Sequence, residues 1–304
     1  MMTIRLPNVV KQVPGASRVF RALFPPKPGS LGLTTIAERE YFSRTAASEF
    51  RGRGAILDLG SWLGSTTAAL AQGLLRNPLP MARNATIQTY DLFRWDSAYD
   101  PFTPPGFRFS NGECFLTAFK ANVKPWLGQI NIHEGDLTAK EWQGQVELIL
   151  DDAAKAWTVA QAIWEKFVVN LLPGGLLIEQ DFKHYYCPWL HLVHYRFRDR
   201  FELAEDVRDG ATTAFRLLRP VALTELAGVF NAAAYSTSDI RASFDWAAAL
   251  VYPEWRPAIY AAEAMHFVHM GKIDTAREVL SRMSDEQRTH YEVASVIAAL
   301  RANK

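Results

Sequence analysis

Two short stretches of this chain carry residue types that move protons. Asp151-Asp152-Ala153-Ala154-Lys155-Ala156-Trp157 and Glu179-Gln180-Asp181-Phe182-Lys183-His184 each follow an apolar run, and together they offer carboxylates, an ammonium and an imidazole. An imidazole with an ordinary pKa of about 6.5 accepts a hydroxyl proton at neutral pH, which makes His184 a candidate base. A third stretch, Asp58-Leu59-Gly60-Ser61-Trp62-Leu63-Gly64-Ser65-Thr66-Thr67, has glycines that let backbone approach a ligand, followed by a helix start whose amides await a polar partner. Two further acids stand after apolar runs, Asp91 in Tyr90-Asp91-Leu92 and Asp136 in Gly135-Asp136-Leu137. A carboxylate at such a place can accept from both hydroxyls of a ribose, or simply cap the next turn.

These residues share a site only if the chain brings their loops to one edge. Apolar runs at Ala55-Ile56-Leu57, Thr86 to Tyr90, Ile130 to Ile132, Val146 to Leu150 and Leu176 to Ile178 alternate with longer segments of helical pattern. That rhythm predicts repeated βαβ units and a parallel sheet, with a ligand crevice at the carboxyl ends of its strands. Thr35 to Glu38 reads as a capping box, with Phe42, Ala46 and Phe50 at helical spacing over about 36–50. Val159, Ile163 and Phe167 mark a helix after the fourth strand, which Leu172-Pro173-Gly174-Gly175 stops before the fifth. Arg200 to Ala204 and Thr213 to Leu218, separated by Asp209-Gly210, predict an antiparallel pair at the sheet edge. The expected fold is α/β, a Rossmann-like doubly wound seven-stranded sheet, mostly parallel with an antiparallel edge, plus a C-terminal helical appendage.

The glycine turn lacks both the G-x-G-x-x-G spacing of dinucleotide sites and the G-x-x-x-x-G-K-[ST] phosphate loop. It resembles instead the first motif of class I methyltransferases, an acid followed by glycine-x-x-x-glycine. That resemblance implies S-adenosylmethionine as cofactor, held by Asp58, Gly60, Ser61, Gly64 and Thr66, with Asp91 on the ribose, Asp136 near the adenine and Asp152 alongside. The later loops resemble the catechol and caffeoyl-coenzyme A group of O-methyltransferases, where a strand-four aspartate is followed three residues on by lysine. By that resemblance Asp152 and Asp181 are the metal ligands for Mg2+ and Lys155 is the general base, with His184 as the base of a metal-free route. The group's asparagine after the strand-five aspartate is Phe182 here, so a third protein oxygen would come from Gln180 or Asp151, or water would fill the octahedron. Leu171 to Gly175 before the acidic loop is similar to the macrocin and cephalosporin-biosynthesis type acting on sugars and antibiotic precursors, which implies natural product biosynthesis. The expected reaction is methyl transfer to a hydroxyl of a small molecule or glycan. Alternatives are N-methylation and a methyltransferase fold that serves as a binding or scaffold protein.

Composition narrows the partners. Lys plus Arg (33) nearly cancels Asp plus Glu (32) over 304 residues, so no global field gathers nucleic acid or an acidic membrane. Two distant cysteines, Cys114 and Cys187, suit a reducing compartment, and no uninterrupted apolar core of membrane-span length occurs, so a cytoplasmic protein is expected. Three regions follow: an N-terminal arm or cap over 1–32, with an amphipathic helix around Val10 to Leu23; the cofactor-binding domain over 33–220; and alanine-rich helices over 221–304, for packing, homodimerisation or substrate capping. The aromatic stretch from Phe93 to Gly112 is a candidate lid, and Trp62, Trp95, Trp157 and Trp189 are candidate walls for an acceptor.

Overall fold

The computed structural model describes residues 32–104 and 106–302. The helix expected around Val10 to Leu23, and nearly all of the expected arm, lie outside the described residues. In chain order the regular elements are α1 (Ile36–Ser48), β1 (Ala55–Leu59), α2 (Ser65–Arg76), α3 (Pro80–Arg83), β2 (Ile87–Asp91), α4 (Leu116–Asn122), β3 (Ile130–Glu134) and β4 (Val146–Asp151). There follow α5 (Trp157–Lys166), β5 (Leu171–Glu179), α6 (Trp189–Arg196), β6 (Phe201–Asp206), β7 (Thr213–Leu217), α7 (Thr237–Leu250), α8 (Arg256–His269), α9 (Ile273–Ser281), α10 (Asp285–Arg288) and α11 (Tyr291–Ala302).

The strands form one seven-stranded sheet of order β3-β2-β1-β4-β5-β7-β6. Neighbours among β1 to β5 run parallel, whereas β7 is antiparallel to β5 and to β6. This is the Rossmann-like doubly wound arrangement expected from the alternation of apolar runs, with a hairpin in place of a sixth parallel strand. A parallel strand buried on both faces needs a continuous apolar run, and β4 is buried along its whole length. Strand order reverses beside β1, so a crevice opens at the carboxyl ends of β1 and β4.

Two details differ from the sequence pattern. β1 extends through Leu59, which puts Asp58 inside the strand rather than in the turn. β5 begins at Leu171, and because Val146 pairs with Leu171 while Leu148 pairs with Leu176, the stretch Leu172 to Gly175 bulges from the ladder. Gly174 takes a φ of +81° there, so this punctuation makes an excursion within the strand.

Helices cover both faces. On one, Tyr41 and Phe42 of α1 and Leu70 and Leu74 of α2 pack on Ile56, Ile87, Leu148 and Ile178. On the other, one continuous apolar core runs from Leu57, Ile149 and Phe215 of the sheet to Phe244, Phe267 and Val296 of the C-terminal helices. A buried ion pair pins those helices to the sheet. Lys183 donates to Asp206 Oδ1 at 2.5 Å and to Val207 O at 2.7 Å, and lies 4.9 Å from the Trp255 ring centre. Asp206 Oδ2 accepts from Tyr252 N at 2.6 Å, so the desolvated charges are met by hydrogen bonds on both sides. Among the described residues no helix is long and apolar enough to cross a membrane.

Candidate active site

A cavity of about 280 Å³ lies over the carboxyl ends of β1, β2, β4 and β5. Its first end is built by the turn after β1. Gly60 holds φ at +86°, and a Cβ there would stand 2.7 Å from Asp152 O, so only glycine lets this turn lie against the loop after β4. Asp91 Oδ2 accepts from Trp62 N at 2.8 Å and Oδ1 from Phe93 N at 2.7 Å. Burial raises the Asp91 carboxyl to about 6, against the lowering effect of those two amides. An ionised carboxylate offers about four acceptor positions, so both oxygens keep capacity for hydroxyls of a ligand. Around Asp91 the cavity is lined by Ser61, Trp62, Tyr90, Gly135 and Leu137.

The second end is built by the loops after β4 and β5, and by α11. Lys155 Nζ donates to Asp152 Oδ1 at 2.6 Å and also to Asp181 Oδ2, bridging the two carboxylates. Tyr186 Oη donates to Asp181 Oδ1 at 3.0 Å. His184 stacks on Tyr186 with ring centres 4.9 Å apart, and its Nε2 faces Asp181 Oδ1 at 3.9 Å. Its Nδ1 is hydrogen-bonded to Glu292 Oε1, while Glu292 Oε2 accepts from Tyr185 N at 2.9 Å. Glu292 is 1% exposed and sits in the first turn of α11, where the helix end favours a negative charge.

The structure thus brings Asp91, Ser61, Gly60, Thr66, Asp152, Lys155, Asp181 and His184 to one cavity. Three residues expected at the cofactor do not line it. Asp58 is fully buried, and its Oδ2 accepts from the Thr66 and Thr67 hydroxyls, which ties β1 to the first turn of α2. Burial raises its carboxyl to about 7, opposed by those two hydroxyls. Gly64 faces the α4 side, where a Cβ would meet Val123 Cγ1 at 2.6 Å. Asp136 accepts from Thr138 N at 2.9 Å and caps the turn that follows, and its neighbours Gly135 and Leu137 meet the cavity instead. Trp157 and Trp189 pack on each other, 6.0 Å between ring centres, away from the cavity that Trp62 and Trp95 line.

Glu292 was not among the expected site residues. It lies 108 positions from His184 on a separate helix, and nothing local in the sequence pairs them. Tyr291 and Ser295 reach the cavity from the same helix.

The donor set does not fit the Mg2+ site implied by Asp152 and Asp181. The Lys155 ammonium stands between their carboxylates in the place a cation would take. Asp151 turns away, its Oδ1 accepting from Ala153 N at 2.8 Å, and Phe182 is buried against Phe215. Among the described residues no three His, Cys, Asp or Glu side chains converge in a way that could hold a metal ion. The other end does fit a ligand carrying hydroxyls and a flat ring. Ser61 Oγ and Trp62 Nε1 are buried without a protein hydrogen bond, on residues that line the cavity beside Asp91 and the Tyr90 ring.

The sequence matches no family model and no curated protein. Solved structures similar to this chain include the O-methyltransferase NovP, at 16% identity over 70% of this chain and 98% of that one, with a TM-score of 0.48. An O-methyltransferase from Bacillus cereus in complex with SAH is similar at 13% identity, over 72% and 94% of the two chains and a TM-score of 0.40. A putative O-methyltransferase from Klebsiella pneumoniae is similar at 14% identity, over 71% and 92%, with a TM-score of 0.39.

Proposed function

We propose that this protein is an S-adenosylmethionine-dependent methyltransferase acting on a hydroxyl of a small molecule. The observation that carries the reading is a single cavity with Asp91 and the Gly60 turn at one end and His184, Lys155 and Asp181 at the other. When bound, the cofactor supplies a methyl group whose bond to sulfur breaks as the bond to the acceptor oxygen forms. Asp91 would accept from the ribose hydroxyls, with Ser61, Trp62, Tyr90 and Leu137 around the nucleoside.

At the acceptor end the geometry favours His184 as the proton acceptor. Lys155 gives its protons to two carboxylates, and deprotonating it would leave Asp152 and Asp181 face to face without their shared cation. Its ammonium instead favours the negative charge that builds on the acceptor oxygen, in a cavity that Trp95, Tyr99 and Tyr186 also line. The acidic surroundings suit a cationic cofactor.

Calorimetric titration with S-adenosylmethionine and S-adenosylhomocysteine tests the reading. Micromolar binding is expected, weakened roughly tenfold to hundredfold by Asp91→Ala, the scale of hydrogen bonds to a charged group. No binding at high micromolar concentration would remove the methyltransferase and leave a scaffold with this fold, and binding indifferent to Asp91→Ala in a folded variant would remove Asp91 from the cofactor site.

A further inference from the structure

We infer that the C-terminal helix α11 completes the acid–base machinery. On this inference Glu292 is a positioning residue that fixes the tautomer of His184, with the proton on Nδ1 and the lone pair of Nε2 facing the cavity. The inference rests on the proposed role of His184 as base.

The argument starts from burial. Glu292 is almost wholly removed from solvent, and a carboxylate there needs donors for both oxygens. Oε2 has the Tyr185 amide at 2.9 Å. Oε1 is hydrogen-bonded to the imidazole, its partner there being Nδ1. A carboxylate cannot donate, so Nδ1 must, and in a neutral ring that leaves Nε2 unprotonated. The anchoring of Tyr185 and the orienting of His184 by one carboxylate also fix the ring plane, which Tyr186 holds from its face. Nε2 then looks into the cavity beside Asp181, Lys155 and Asp152, where an acceptor hydroxyl could reach it. The groups facing the ring are Glu292, Asp181, Lys155, Asp152, Tyr186 and His290.

Glu292→Gln separates this role from simple packing. Its amide can keep the Tyr185 bond through its oxygen only by turning its NH2 toward His184 Nδ1, which moves the ring proton to Nε2. The loss of the base would then come from the wrong tautomer in an intact fold.

The test is a long-range 1H–15N correlation spectrum of the histidine rings in the full chain at about pH 8.5, above the ordinary imidazole range. His184→Gln identifies the signals of residue 184. The expected result is an Nδ1–H tautomer for His184 in the unaltered protein and an Nε2–H tautomer in Glu292→Gln. A ring protonated on Nε2 in the unaltered protein, whether alone or on both nitrogens, overturns the inference, and that spectrum decides even if the variant does not fold. So does a folded Glu292→Gln protein that keeps the Nδ1–H form. With an acceptor in hand, kcat of Glu292→Gln should fall by about a hundredfold or more at unchanged KM for the cofactor, the scale of general-base catalysis, and an unchanged kcat overturns the inference. Cofactor titration of the unaltered protein reports on the methyltransferase reading separately, because Glu292 stands at the opposite end of the cavity from Asp91.

Discussion

Residues at the acceptor end act as a set of charges rather than as independent ligands. Lys155 is 12% exposed and is shared by Asp152 and Asp181, which are 22% and 8% exposed. Burial raises the Asp152 carboxyl, and Lys155 is the leading influence pulling it back. Lys155→Met should therefore destabilise the protein by about 3 kcal/mol at pH 8, the scale for breaking a partly buried pair. Toward pH 5 the carboxylates can take up protons and relieve their repulsion, so the deficit should shrink. Chemical denaturation at the two pH values checks this. An equal deficit at both would show that Lys155 acts through packing alone.

At the scale of elements, the site depends on how closely α1 and α2 approach. Gly73 of α2 faces the α1 backbone, and a Cβ on it would stand 2.7 Å from Ala46 Cβ, with the Ser43 carbonyl nearer still. Alanine in place of an interior helical glycine normally stabilises by about 1 kcal/mol. Here the clash with backbone wins, and Gly73→Ala should lower stability by about 1–3 kcal/mol, the range for overpacking, read as a fall in Tm. A Tm that rises would show that α1 can move aside. The same pair of helices explains why the turn at Gly60 is placed so well. Asp58 grips Thr66 and Thr67 of α2 from inside the sheet, so the turn is held from below by a residue that never reaches the cavity.

Across the whole molecule, buried titratable groups pull stability in opposite directions with pH. Burial lowers His191 and His266 to about 4 and His194 to about 3, so each is neutral in the folded state. The unfolded chain binds their protons below about 6.5, and that contribution to stability is lost as pH falls from there toward 4. Glu263 on α8 behaves oppositely. It is 3% exposed, and burial raises its carboxyl to about 7. The folded state keeps its proton where the unfolded chain has released it, so stability falls as pH rises from about 4.5 to 7. Glu263→Gln removes that loss. Its stability relative to the unaltered protein should therefore increase between pH 5 and pH 8 by on the order of 2–3 kcal/mol, measured by denaturant unfolding. A difference constant across that range would place Glu263 in contact with solvent or with an unrecognised cation.

What the sequence determined by itself was everything that rests on local pattern. Apolar runs such as Val146 to Leu150, bounded by turn residues, read as buried strands, the Thr35 to Glu38 spacing reads as a helix cap, and acids at the ends of successive parallel strands gather along one sheet edge. Strand alternation therefore foretold both the Rossmann-like sheet and the loops that would meet. Direction and distance were decided by the tertiary structure. Asp58 and Asp136 have the spacing of ligand contacts, yet nearby hydroxyls and amides compete for them, and the folded chain gives both to its own backbone and side chains. The Lys155 ammonium takes the place between Asp152 and Asp181 because the loops after β4 and β5 close within reach of one side chain. Glu292 was illegible for a simpler reason. Its partner is 108 residues away, and only the packing of α11 onto the face shared with the sheet carries a buried carboxylate to His184.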